Sequence, residues 1–160
     1  MFRPLRRSKQ ALLPDECERI LYEGKTGTLA LNGDGGYPYA LPINYVYAGG
    51  KLYFHCAKSG HKTDAIASSD KASFCVVGRD DVVPEKFTTQ YRSVVVFGRI
   101  RIMEEREIRP AVRALARKYC PEESDERIER EIGRFMPSLC MLELAPEHIS
   151  GKQSAGLTEG

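Results

Sequence analysis

The chain of 160 residues contains no apolar run long enough to cross a membrane, since a spanning helix needs roughly 18 or more consecutive apolar residues. Its first stretch, MFRPLRRSKQALLPDE, is basic with no apolar segment behind it. That is not the layout of a secretory signal, so the cytoplasm is the expected compartment and a membrane is not an expected partner. Charge of one sign is hardly in excess: 24 basic against 22 acidic residues leave a net +2. Nucleic-acid binders carry clustered basic surplus, so nucleic acid is not an expected partner either, and Arg3, Arg6 and Arg7 read as a solvated tail. The five cysteines are widely spaced and form no CxxC pair, which argues against a zinc site or a thioredoxin-like motif; no metal is expected. In a reducing compartment they read as small apolar residues. No GxGxxG and no regular strand–helix alternation occur, which excludes a doubly wound dinucleotide-binding sheet. Repeats and low-complexity tracts are absent too.

What is present is a 42% hydrophobic, 29% charged composition, ordinary for one globular domain. The expected domain spans residues 1–160, with 1–9 and 153–160 as flexible tails. Residues 14–24 read as a short helix opened by Pro14 and acids and closed by Gly24. The texture then changes to period two. Residues 26–32 (TGTLALN) predict a strand, 33–36 (GDGG) a turn, and 37–47 (YPYALPINYVY) a long strand. Tyr39, Leu41, Ile43, Tyr45 and Tyr47 share one face of it, and Ala40, Pro42, Asn44 and Val46 the other. Pro42 has no N–H to donate and so predicts an edge, bend or bulge. Residues 51–57 (KLYFHCA) return after Gly49-Gly50, with Tyr53 and His55 facing opposite to Leu52 and Phe54. A helix is expected over 62–69 and strands over 72–78 and 93–103, the latter rich in Val and Ile. Helices follow over 104–119 and 124–136, then a last strand over 138–145. Six strands joined by tight turns, with helices outside, predict a mainly β fold: a six-stranded antiparallel barrel with peripheral helices.

The segment 53–62, YFHCAKSGHK, carries the chemistry. Lys58, Ser59, Gly60, His61 and Lys62 lie between a strand and a helix. Gly60 lets the chain turn sharply. The first amides of a helix lack partners and its dipole favours an anion. Lys58 and Lys62 add charge, and Ser59 and His61 add donors. The set suits a phosphate monoester; a solvated basic turn punctuated by Gly60 accounts for the local residues equally well. His55, on the preceding strand, is either a structural histidine or the lining of the same pocket, where it could exchange a proton near neutral pH.

Taken in order, TGTLALN, YPYALPINYVY, LYFHCAKSGHK, QYRSVVVFGRI and EHISGK resemble the pyridoxamine 5′-phosphate oxidase-like FMN-binding split barrels, and within them the nitroimidazole-resistance branch. The resemblance spans roughly residues 10–153. It implies a homodimer with FMN at the subunit interface. It implies that His61 and Lys62 match the Arg-Lys pair on the FMN phosphate, with histidine in place of arginine. Leu41, Pro42, Ile43 and Asn44 match a flavin-contacting strand, and His55 and Cys56 match a pair at the cofactor, with Ala57, Ser59 and Gly60 beside them. Ser93 stands where the oxidases place a longer, flavin-contacting glutamine. Ile149, Ser150, Gly151 and Lys152 match an element close to the flavin in the nitroimidazole branch, and His55 matches the residue proposed there as catalytic. The Arg, Tyr and His residues with which the oxidases recognise pyridoxamine phosphate do not occur as a set in residues 146–160.

The implied function is an FMN-dependent reductase passing electrons from a reduced donor to a small acceptor such as a nitroaromatic. The other readings are a flavin or haem carrier without turnover, and a dimeric scaffold without ligand. Tyr91 and Arg92 read as a cofactor contact or dimer surface, the tyrosine stripe as packing, and the acidic residues 122–131 as a solvated helix face.

Overall fold

A single antiparallel ladder organises the chain in the computed structural model, which describes residues 2–158. Helix α1 (Pro14–Glu23) precedes strands β1 (Thr26–Asn32), β2 (Pro38–Asn44), β3 (Val46–Ala48) and β4 (Lys51–Ala57). Helix α2 (His61–Ser68) leads to β5 (Lys71–Val83) and β6 (Thr88–Ile102). Helices α3 (Glu105–Tyr119) and α4 (Asp125–Phe135) then lead to β7 (Leu139–Gln153). The strand order is β2-β1-β5-β6-β7-β4-β3. Strands β2 and β3 lie at opposite ends of this order, yet only Tyr45 separates them. The ladder must therefore wrap round on itself, which makes it a barrel with a split between β2 and β4.

The seventh strand arises at that residue. One long strand is expected over 37–47, and the structure breaks it at Tyr45. Alternation holds through Asn44, with Tyr39, Leu41 and Ile43 half-buried and Pro42 and Asn44 outward. Tyr45, Val46 and Tyr47 are all buried. Tyr45 and Tyr47 join the barrel core, and Val46 joins a separate cluster under α3. The main-chain groups of Tyr45, lost to the ladder, are met from α3. The Tyr45 N–H donates to Tyr119 Oη at 3.0 Å, and the Tyr119 hydroxyl lies 2.8 Å from the Tyr45 carbonyl oxygen. Pro42 pairs with Thr28 on the edge strand β2, where a missing donor costs no ladder bond.

Inward-facing Leu29, Leu52, Phe54, Phe74, Val94 and Leu144 are fully buried. The Phe74 ring meets Tyr45 at 4.8 Å and Phe54 at 5.1 Å, edge-on in both cases, the favoured geometry for aromatic pairs. Helix α1 adds Cys17, Ile20 and Leu21 to this core, and the Tyr45 hydroxyl donates to the Leu21 carbonyl at 2.7 Å.

Strands β5, β6 and β7 run well beyond the expected 72–78, 93–103 and 138–145. Bulges at Gly78 and Glu147 bend them where the registers shift, as is common where a ladder must curl. Of the expected tails, residues 1, 159 and 160 lie outside the described residues. Elsewhere Gln10 and Ser154 are buried, Ala11 bridges to Lys152, and Gln153 ends β7.

Candidate functional site

Strand β4 places the site. Its alternation sends Leu52 and Phe54 into the core and leaves His55 and Ala57 on the outer face. Cys56 points inward opposite Cys140 of β7, half-buried against the core. Burial first, and then the Cys140 thiol, push the Cys56 thiol well above its usual range, with the Lys62 ammonium pulling the other way.

After Ala57 the chain turns through Lys58, Ser59 and Gly60 into α2. Gly60 has φ 133°, and a Cβ there would meet nothing within 4 Å. Glycine is thus demanded by the backbone angle, not by crowding, and space is left in front of the turn. The Gly60 carbonyl accepts from the Asp64 amide at 3.1 Å and from Thr63 Oγ1 at 2.7 Å. This fixes the first turn and leaves its leading amides for an outside acceptor. Ser59 and Lys58 are exposed and Lys62 is half-buried. Among the described residues neither lysine has a carboxylate partner. His61 differs: its ring stacks on Tyr39 with centroids 4.0 Å apart, and its Nε2 lies 3.6 Å from Asp34 Oδ2. The imidazole is held by the β1–β2 turn.

Two apolar hollows flank His55. The larger, about 740 Å³, runs from His55, Cys56 and Ala57 under α3 and α4. The smaller, about 320 Å³, reaches Asn44, Tyr119 and Met141. His55, Val112, Ala116 and Leu139 border both, so His55 sits at their junction. Asn44 is oriented by Thr26, whose Oγ1 lies 3.0 Å from Asn44 Oδ1. Leu41 and Ile43 face inward, and one main-chain row of β2 has no partner strand.

The other predicted residues lie elsewhere. Ser93 pairs with Lys152, whereas His55 pairs with Met141 of the same strand β7. The two places are eleven positions apart on β7, up to roughly 36 Å along a strand. Lys152 extends over the Tyr91 ring, its Nζ 5.7 Å from the centroid. Ile149 and Gly151 border a third hollow beneath the N-terminal segment. Gly151 is buried there: its carbonyl accepts from the Leu12 amide at 3.0 Å, and a Cβ would stand 2.4 Å from Cys17 Sγ. Close packing accounts for this glycine.

The walls contributed by α3 and α4 have no counterpart among the predicted site residues. Residues 122–131 read as a solvated face because their charges dominate the composition. Most of their ions do face outward, Glu122, Asp125, Glu126 and Arg130 being exposed, but Glu123, Arg127 and Glu131 border the larger hollow, and Ile128 and Ile132 point under the hairpin and are 4% and 3% exposed. The four-residue spacing of these isoleucines is the signal that could have found the wall.

The fold recurs among solved structures. One is a Bacteroides thetaiotaomicron protein assigned to 5-nitroimidazole antibiotic resistance, at 17% identity and TM-score 0.72 over 89% of this chain and 86% of that one. Another is the FAD and heme binding protein of Mycobacterium smegmatis, at 23% identity and TM-score 0.75 over 92% and 74%. A third is a conserved hypothetical protein of Mycobacterium tuberculosis, at 17% identity and TM-score 0.80 over 96% and 92%. No curated protein matches the chain in sequence. The model of the family described as Pyridoxamine 5′-phosphate oxidase matches residues 14–153. With that match and the split antiparallel barrel, the chain belongs to the pyridoxamine 5′-phosphate oxidase family.

Proposed function

We propose that the chain is an FMN-dependent oxidoreductase, passing electrons from a reduced donor to a small acceptor such as a nitroaromatic. The observation that carries this reading is the division of labour along β4. An anion-ready turn stands at its end, and an exposed histidine stands between two apolar hollows on the same outer face. Flavin-binding and nitroimidazole-resistance assignments among proteins of the same fold support it.

The donors fit a phosphate monoester: Lys62 and Lys58, without carboxylate partners among the described residues, the Ser59 hydroxyl, and the first amides of α2 behind Gly60. His61 contributes less than an arginine would, because Tyr39 and Asp34 hold its ring. Ring-edge contacts fall to Asn44, to Pro42 and to main-chain groups of Leu41 and Ile43, with Ala57 and the main chain of Cys56 beneath. The cofactor, when bound, supplies the redox chemistry. His55 orients the acceptor and delivers a proton to it. Ser93, Ile149 and Lys152 reach the same cofactor only from a second copy of the chain, so the functional unit is a homodimer.

Purified protein with flavin absorption bands that bleach with NADH or NADPH under anaerobic conditions is the expected result. Colourless protein that takes up no added FMN would overturn the reading. Lys62→Ala should weaken FMN binding by about 1.5–3 kcal/mol, the worth of one charge-assisted contact, measured by flavin fluorescence titration. His55→Ala should leave that affinity intact and lower turnover. A carrier without turnover would instead show no bleaching, and a haem ligand would give a Soret band lost with His55.

A further inference from the structure

We propose that the hollow beneath the α3–α4 hairpin is the acceptor subsite, and that it selects neutral planar aromatic molecules over anionic ones. The proposal rests on the flavin reading for the word acceptor, but its physical content is a binding preference that can be measured without turnover.

Size and lining come first. About 740 Å³ lies within the range of small-molecule sites. Its walls are Val112, Ala116, Ile128, Ile132, Phe135 and Leu139, and His55 is on its floor. Such walls suit a flat apolar ring, with one polar group directed at His55.

Charge comes second. The lining carries two carboxylates, Glu123 and Glu131, against one guanidinium, Arg127. Arg127 is already met by Glu123 at 3.0 Å, and Glu131 has Arg134 at 3.7 Å. Among the described lining residues no unpaired cation is therefore left for an incoming carboxylate or phosphate, and with Arg134 counted the four charges cancel. An anion placed there would lose its hydration without gaining a partner. The turn at the end of the same strand is the reverse, with Lys58 and Lys62 unpaired among the described residues. The anionic end of a cofactor and a neutral acceptor would thus be sorted to different places along one strand. A phosphorylated substrate of the pyridoxamine phosphate kind has no holder in this hollow.

Cys120 is the place to test it, because its small, exposed side chain borders the larger hollow and not the smaller one that reaches Asn44. The probes are 4-nitroacetophenone, which is neutral, and 4-nitrobenzoate, which has nearly the same shape and a negative charge. Equilibrium dialysis of the full chain, with and without FMN, gives each affinity. The neutral probe should bind the unaltered protein at least about tenfold more tightly than the anion. Cys120→Trp should weaken the neutral probe by about tenfold or more, since it fills the wall, while FMN affinity stays within about twofold. Cys120→Lys should bring the anion up to the affinity of the neutral probe. Ser138→Trp serves as a second blocking variant should Cys120→Trp not fold. Equal binding of both probes to the unaltered protein would overturn the proposal, as would an unchanged neutral affinity in a folded blocking variant. If FMN fails to bind while the preference between probes persists, the flavin reading falls and the neutral-aromatic site stands.

Discussion

Gly60 and Gly151 are the same residue doing opposite things. Gly60 supplies a backbone angle and leaves open space, whereas Gly151 supplies the absence of a side chain where Cys17 and Leu12 press in. Gly151→Val should therefore lower stability by about 1–3 kcal/mol through overpacking, seen as a drop in thermal midpoint. Lys118 offers a test in pH. Its ammonium sits 4.2 Å from the Tyr45 ring centroid, and burial lowers its pKa from 10.5 to about 8. Because the folded value is the lower one, the folded chain binds fewer protons than the unfolded chain between about pH 8 and 10.5. Stability contributed at this site must therefore rise with pH across that window. The difference in thermal midpoint between wild type and Lys118→Met should move in favour of wild type from pH 8 to 10.5, and a constant difference would sink the assignment. Taking the difference cancels the cysteines and tyrosines common to both proteins. At this scale the sequence reads well wherever a residue's role is set by its neighbours in the chain. Gly60, Lys62 and the outward His55 follow from turn chemistry and alternation. Gly151 does not, because the atoms that demand it come from residues 12 and 17.

Among the elements, the break between β2 and β3 was hidden for a related reason. YPYALPINYVY alternates throughout, so period alone predicts one strand. The interruption depends on Tyr119, some seventy residues on, which takes over the main-chain groups of Tyr45. Tyr119→Phe removes the only hydroxyl, among the described residues, that meets that carbonyl and amide. It should cost about 1–3 kcal/mol, the penalty for a buried polar group left unpaired, and chemical denaturation would measure it. A loss within error would mean that water replaces the hydroxyl. The α3–α4 hairpin was misjudged from charge content. Its ion pairs, among them Arg113–Glu129 at 3.3 Å, run between the two helices and along the rim of the hollow, and the sparse isoleucines that line the hollow are outnumbered in any count of composition. Strand lengths were underestimated because β5 continues beyond the apolar core as an exposed strand and β6 beside it as a half-buried one, and neither stretch alternates between buried and exposed residues.

At the scale of the molecule, the predicted site residues fall into two groups at opposite ends of β7. On the proposed reading, a cofactor touching both groups lies between two copies. Flavin release should therefore track dissociation: on dilution, the sedimentation coefficient and the flavin fluorescence should change over the same concentration range. A monomer that keeps its FMN would refute the shared site. The order of the ladder has a further consequence. Strand β7 pairs on one side with β6 and on the other with β4, so Leu52 waits for Leu144. During synthesis the strand bearing His55 emerges early but has only the three-residue β3 beside it until residues 139–153 arrive. Until then β4 and β6 both present bare edges, the kind of surface that invites pairing with another chain. Arrested nascent chains ending before residue 139 should be protease-sensitive and chaperone-dependent, and resistance should appear in one step once β7 clears the ribosome. The strand that bears His55 is among the last to become safe.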